Sequence, residues 1–163
     1  MTTYTVFLLL GANLGDRVAT LQQAQEQIRV DVGPVLQQSS LYETAAWGVT
    51  DQPAFLNQVL KVLSVFPPEE ILEKTQAIEN RLGRVRREKW GSRVIDIDLL
   101  YVDDRVQQRD TLTIPHPFLH ERRFTLVPLA EIAPDFVHPV FQKTNEQLLA
   151  ECQDTGEVKK WTP

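Results

Sequence analysis

The run Val94-Ile95-Asp96-Ile97-Asp98-Leu99-Leu100-Tyr101 constrains this chain more than any other stretch. Apolar and acidic residues alternate in it, which is the period of a β-strand. Residues two apart in a strand share a face and lie about 6.5–7 Å apart. Asp96 and Asp98 therefore share one face, while Ile95, Ile97 and Leu99 turn the other way into a core. Two carboxylates side by side on so apolar a strand repel each other and resist desolvation. The run by itself leaves two resolutions open. One is the solvated face of an edge strand; the other is a divalent cation held by both acids. Mg²⁺ takes one or two carboxylates and completes its shell with water and phosphate oxygens, and two such ions can clamp both sides of a phosphoryl transfer.

The segment that feeds this strand is Arg84-Val-Arg86-Arg87-Glu88-Lys89-Trp90-Gly91-Ser92-Arg93. It has no apolar period and is expected to be a mobile loop. The chain carries a net charge of −5, which argues against a general nucleic-acid binder. Yet six of its 17 Lys and Arg residues lie between Arg81 and Arg93, against one acid, Glu88. Guanidinium groups suit phosphate oxygens, and Trp90 offers a flat surface to an aromatic ring. A charged, solvated loop anchored by one tryptophan is the alternative. Position favours the anion site, because cationic clamp and carboxylates would flank one space, as polyphosphate transfer requires.

The remaining elements follow from periodicity. Thr3 to Leu10 reads as a buried strand and Gly11 to Asp16 as a tight strand-to-helix turn. Leu14, Val18, Leu21, Ala24 and Ile28 form one helix face across Asp16 to Val30, and Gly33-Pro34 breaks it. Val35 to Tyr42 is expected as a strand, Glu43 to Pro53 as a long loop, and Phe55 to Val65 as a further strand. Pro67-Pro68-Glu69-Glu70 starts a helix that ends at Gly83. Beyond Thr113, Pro115, Pro117, Pro128, Pro134 and Pro139 point to short helices and turns. The order predicts an α+β, ferredoxin-like βαββαβ sandwich: a largely antiparallel sheet with helices on one face and an irregular C-terminal extension. With 163 residues, one domain over 1–163 is expected. Cys152 is the only cysteine, so no intrachain disulfide can form. Val6 to Leu10 is too short to span a bilayer. No membrane association and a cytoplasmic location are expected.

The common phosphate-binding motifs are missing. There is no G-x-x-x-x-G-K-[ST] and no H-R-D or D-F-G set. The aromatic K/R-G-F-G-F strand of RNA-binding modules is also absent. His116, between Pro115 and Pro117, either bonds a phosphate or closes a turn. Trp47, within Glu43-Thr-Ala-Ala-Trp47-Gly48, is either part of a lid over a planar ligand or a core plug. His120 and His138 lack partners at zinc-ligand spacing and are read as structural.

Taken in order, several segments make a specific set. They are Gly11-Ala-Asn-Leu-Gly-Asp16, Tyr42-Glu-Thr-Ala-Ala-Trp-Gly48, Asp51-Gln-Pro-Ala-Phe-Leu-Asn57 and Gly83-Arg-Val-Arg86. Then come Trp90-Gly-Ser-Arg-Val-Ile-Asp-Ile-Asp98, Leu112-Thr-Ile-Pro-His-Pro117, Glu121-Arg-Arg-Phe124 and Pro128-Leu-Ala-Glu-Ile-Ala-Pro134. With them the chain resembles the 6-hydroxymethyl-7,8-dihydropterin pyrophosphokinase family, over about Val6 to Pro134.

The resemblance implies a ferredoxin-like fold. It also implies transfer of the β,γ-pyrophosphoryl group of ATP to a pterin hydroxymethyl oxygen, releasing AMP, in folate synthesis. By motif, Asp96 and Asp98 would hold two Mg²⁺ ions, and with Arg84 and Arg93 would form the catalytic set. Arg84, Arg86, Lys89, Arg93, His116 and Arg122 would neutralise phosphate charge, while Gln76, Leu99 and Thr113 would seat the nucleotide. The pterin would lie between Phe55 and Phe124, its edge bonded by Asn57 and by backbone near Thr44 and Ala45, with Trp47 and Trp90 closing over it. The partners implied are ATP and the hydroxymethyl dihydropterin, with no nucleic acid and a monomeric enzyme. Ala45-Ala46 stands where many members have Pro-Pro, Ser92 where proline is frequent, Lys89 where arginine is, and Ala12 where serine is.

Overall fold

The computed structural model describes residues 2–45, 54–83 and 94–163. The elements lining these segments are β1 (Tyr4–Ala12), α1 (Arg17–Asp31), β2 (Val35–Gln38), β3 (Tyr42–Thr44), β4 (Phe55–Ser64), α2 (Pro68–Gly83) and β5 (Asp96–Val102). They are followed by β6 (Gln107–Gln108), β7 (Thr113–Ile114), a 3-10 turn (Leu119–Glu121), α3 (Arg123–Ile132), α4 (Asn145–Glu151) and β8 (Lys159–Lys160). Among the described residues, no helix is long and apolar enough to cross a membrane.

The main sheet runs β5-β1-β4-β3-β8, with β2 also paired to β4, and every pairing is antiparallel. Alternation sends the side chains of β1 to two faces. Val6, Leu8, Leu10 and Ala12 meet Leu21, Ala24 and Ile28 of α1 and Ile71 and Ile78 of α2. Phe7 and Leu9 meet Leu126 and Leu129 of α3 and Leu148 of α4. Helices thus cover both faces, not the single face expected. The cause is apolar surface: Phe7, Leu9, Val59 and Tyr101 leave the second face as greasy as the first, and it must be covered. The C-terminal third therefore supplies a packed layer of short helices, and β8 returns to the sheet.

Two strands depart from the expected boundaries. β1 continues through Gly11 and Ala12, so Gly11 belongs to the sheet and the turn begins later. Asp16 then caps α1, accepting the Ala19 N–H at 3.1 Å. The single strand expected over Val35 to Tyr42 is broken. The Ser39 hydroxyl accepts the Val59 N–H at 2.9 Å, taking the place of a backbone carbonyl, and the register also slips between Val35 and Gln37.

One irregularity shapes the site. In the β1–β5 ladder Leu8 faces Leu99 while Phe7 faces Tyr101, leaving Leu100 as an extra residue. This β-bulge lets Asp96, Asp98 and Tyr101 lie on the α3 side despite the odd spacing between Asp98 and Tyr101. The Leu100 carbonyl accepts the His116 N–H at 3.0 Å, which docks the segment after β7 against the strand of the acids.

Candidate active site

The registers of β5, β1, β4 and β3 align Asp96, Gly11, Asn57 and Tyr42 in one cross-strand row. Asp98, Leu9 and Val59 form the next row on the same face. Gly11 carries no side chain, so the first row has a gap between a carboxylate and a carboxamide. A cleft of about 190 Å³ opens there. Its floor is Leu9, Gly11 and Asn57, and Asp96 and Asp98 form one side. Thr44, Ala45 and Phe55 form the opposite side, and Arg122 and Phe124 at the start of α3 close the top.

Each wall is fixed by a contact that can be named. Asn57 is buried, and its Nδ2 donates to the Leu10 carbonyl at 3.2 Å. The Thr44 hydroxyl is buried and has no hydrogen-bond partner among the described residues, an unmet polar atom at the rim of the cleft. The Arg122 guanidinium stacks over Phe118 and Phe124, with its carbon 5.1 and 5.7 Å from the ring centroids. Glu131 of α3 accepts the Ser40 N–H at 2.8 Å and the Tyr42 hydroxyl at 3.1 Å, tying α3 to β3. Burial, with that carboxylate alongside, pushes the Tyr42 phenol up to about 12.

His116 sits between the two charged sides. Burial lowers its pKa below the ordinary histidine value; Asp98 pulls the other way and Arg122 adds to the lowering. Its Nδ1 accepts the Phe118 N–H at 3.2 Å, so the neutral ring carries its proton on Nε2. The turn reading of His116 is seen in the Nδ1 contact.

Twelve of the residues singled out from sequence are described. Asp96, Asp98, Thr44, Ala45, Phe55, Asn57, Arg122 and Phe124 converge on the cleft, and His116 stands within electrostatic reach of it. Gln76, Leu99 and Thr113 do not line it. Gln76 lies on α2, Leu99 points into the core between the sheet and α1 and α2 (the helix-side core), and Thr113 pairs with Gln108 in the small β6–β7 hairpin. Arg84, Arg86, Lys89, Arg93, Trp47 and Trp90 lie outside the described residues, as do most of the two loops expected to close over the site.

Sequence reasoning missed Glu79. Its carboxylate, on α2, accepts the Ile97 N–H at 2.7 Å, holding the peptide between the two aspartates. Its place on the α2 face, three residues after Gln76, gave no signal of a partner on another element. Among the described residues no group of three or more His, Cys, Asp or Glu side chains could hold a metal ion. Asp96 and Asp98 offer two carboxylates to the cleft, the hard oxygen donors that Mg²⁺ takes.

A family model for 7,8-dihydro-6-hydroxymethylpterin-pyrophosphokinase (HPPK) matches residues 7–134. The chain belongs to this family. It is 42% identical over 139 residues to the 2-amino-4-hydroxy-6-hydroxymethyldihydropteridine pyrophosphokinase of Aquifex aeolicus, covering 85% of this chain and 86% of that one. The enzyme of the same name from Methylorubrum extorquens is 42% identical over 151 residues, covering 92% and 94%. Among solved structures, Plasmodium falciparum HPPK-DHPS with pterin and p-hydroxybenzoate superposes with a TM-score of 0.73 at 17% identity, covering 93% of this chain. This HPPK family member spans 42% of that longer Plasmodium chain, and the likeness is one of fold.

Proposed function

We infer that the protein transfers the pyrophosphoryl group of ATP to 6-hydroxymethyl-7,8-dihydropterin, releasing AMP, as a step of tetrahydrofolate synthesis. The observation that carries this reading is the shared cleft, in which paired carboxylates and a buried carboxamide flank the gap left by Gly11. A flat heterocycle between Phe55 and Phe124 would meet Asn57 and the free Thr44 hydroxyl along its polar edge. Its hydroxymethyl group would then point along the row toward Asp96 and Asp98.

Asp96 and Asp98 would hold two Mg²⁺ ions. Such ions supply charge neutralisation on the triphosphate when bound. Arg122, which lines the cleft, and the Nε2 proton of His116 would bond phosphate oxygens. Because β5 is the edge of the sheet, a nucleotide can pass around it, with its phosphates beside the acids and its base toward Gln76, Leu99 and Thr113. In-line attack by the pterin hydroxyl forms the oxygen–β-phosphorus bond as the bond to the α-phosphate breaks, and AMP leaves. Positioning and charge stabilisation carry most of the catalysis, with little demand for a strong protein base.

The frame fits a ferredoxin-like βαββαβ unit when β2 and β3 are counted as one broken strand, with α3, α4 and β8 added to it. The same reading takes residues 1–163 as one catalytic domain acting as a cytoplasmic monomer, which sizing of the purified protein and cell fractionation would check. The deciding assay combines the protein, MgATP and the reduced hydroxymethyl pterin and separates the nucleotide products. AMP is the expected product; ADP would mean an ordinary kinase, and neither would reject the reading.

A further inference from the structure

The segment after α4 borders a groove next to the cleft, and one carboxylate in it fastens the wall that carries Arg122 and Phe124. The first N–H groups of a helix have no partner within the helix and need acceptors from elsewhere. At the start of α3 the N-cap position is Arg122, in extended conformation (φ −120°, ψ 110°) and making no side-chain cap. Arginine has no acceptor to offer there. Asp154 supplies what is missing: its Oδ2 accepts the Arg123 N–H at 3.0 Å while its Oδ1 accepts the Gly156 N–H at 2.9 Å. A carboxylate at this end also complements the helix dipole.

Past Gly156 the same segment fastens to the opposite wall. Lys159 and Lys160 pair with Glu43 and Tyr42 of β3, and the Trp161 N–H donates to the Leu41 carbonyl at 2.8 Å. Trp161 packs against the helix-side core and anchors the end. A groove of about 460 Å³ beside the cleft is bounded by Asp154 and Lys159, and Thr44, Ala45 and Phe124 line both spaces. The family match ends at residue 134, well short of this segment.

We propose that Asp154 is a positioning residue for the reaction: by capping α3 from the C-terminal segment, it sets Phe124 and Arg122 against the cleft. It touches neither the cleft floor nor the acids. The proposal rests on the reading above in taking the cleft as the pterin site.

The test compares Asp154→Ala with Asp154→Asn in the full chain. Asparagine keeps one acceptor oxygen, able to cap α3, and puts an NH2 donor in place of the other, whereas alanine keeps neither. Loss of a cap typically opens the first helical turn by about tenfold. Asp154→Ala is therefore expected to weaken pterin binding about tenfold, read by fluorescence without ATP, and to lower kcat alongside. Amide exchange should quicken from Arg122 through Ala130 while β1 and β4 stay protected. Asp154→Asn, with one acceptor left, should fall between Asp154→Ala and the native protein in binding and exchange. A second arm removes the donor instead. Arg123→Pro fits the first helical position, and the extended Arg122 before it suits a proline. In that background Asp154→Ala should add less than it does alone, since only the bond from the Gly156 N–H is left to lose. Native-like binding by Asp154→Ala, full additivity with Arg123→Pro, or faster exchange across the whole sheet would each overturn the proposal. Amide exchange decides the capping role even if the native protein released no AMP, so the two readings fail separately.

Discussion

Gly11 and Asn57 face each other across β1 and β4, and the Asn57 carboxamide occupies space that any larger residue at position 11 would fill. An ideal Cβ on Gly11 would lie 2.7 Å from Asn57 Nδ2. The clash falls on the end of a side chain, so Gly11→Ala should fold, with Asn57 turned out of place and its 3.2 Å bond to the Leu10 carbonyl lost. Pterin affinity is expected to drop about tenfold or more, the cost of one buried hydrogen bond left unmade. Titration of the pterin against the purified variant checks this, and MgATP affinity should stay within about twofold.

Asp96→Asn and Asp98→Asn test the metal reading directly. Each keeps the shape of the strand and removes one negative charge from the pair. Both variants should unfold near the native midpoint, or above it, because repulsion between the acids is relieved. Mg²⁺-dependent turnover should fall by at least about a hundredfold in each, the usual scale for losing a transition-state charge contact. Native turnover in either variant would remove the two-ion assignment.

Arg17 of α1 ties together the two strands, β3 and β4, on the side of the cleft opposite the acids. Its Nη1 donates to Glu43 at 2.7 Å and to the Ala54 carbonyl at 2.8 Å. Glu43 precedes Thr44 and Ala45, and Ala54 precedes Phe55, so one guanidinium sets the distance between residues on two strands. Arg17→Ala should cost about 1 kcal/mol of stability, as expected for a partly exposed pair with one further hydrogen bond. Pterin KM should rise more than ATP KM. Arg17→Lys, without the planar fork, should recover only part of the loss. Equal changes in both KM values would rule out a local role.

His138 gives the protein a predictable acid sensitivity. The ring is buried, stacks on Phe141 at 4.4 Å, and its Nδ1 accepts the N–H groups of Val140 and Phe141 at 3.1 and 3.2 Å. Burial, with His120 adding to it, lowers its pKa to about 4. The unfolded chain takes up this proton near pH 6.5, so between the two values the unfolded state binds more protons. Stability is then full above about pH 6.5 and declines as pH falls toward 4. After allowance for screening, the loss from this group should be about 1–2 kcal/mol at pH 4.5. His138→Asn keeps an acceptor near Nδ1 and has nothing to titrate. Urea unfolding at pH 7.5 and 4.5 should show a smaller difference for this variant than for the native chain, though a lower stability at pH 7.5.

Much of the site could be read from local pattern. The alternation around Asp96 and Asp98 put both acids on one face, and the structure aligns them with Gly11 and Leu9 there. The period of Leu21, Ala24 and Ile28 located the buried face of α1. The proline and acids at Pro67-Pro68-Glu69-Glu70 marked the start of α2. Such signals are local: side-chain period and capping chemistry act over a few residues. The ordered motifs carried the family resemblance for the same reason, since they need no knowledge of which strands pair.

What escaped the sequence depended on contacts between distant segments. Lys159 and Lys160 have no apolar alternation, and β8 exists because the backbone of β3 offers a free edge. The Leu100 bulge answers to the His116 N–H, and the break at Ser39 to the Val59 N–H. The sequence alone determined that two acids would share the face of a strand that follows an arginine-rich segment, because that follows from period and charge. Only the tertiary structure decided that Gly11 would open a gap between those acids and Asn57, with Arg122 and Phe124 above it. Cross-strand register and helix docking are settled by hydrogen bonds and packing between residues far apart in the chain, and no local pattern encodes them.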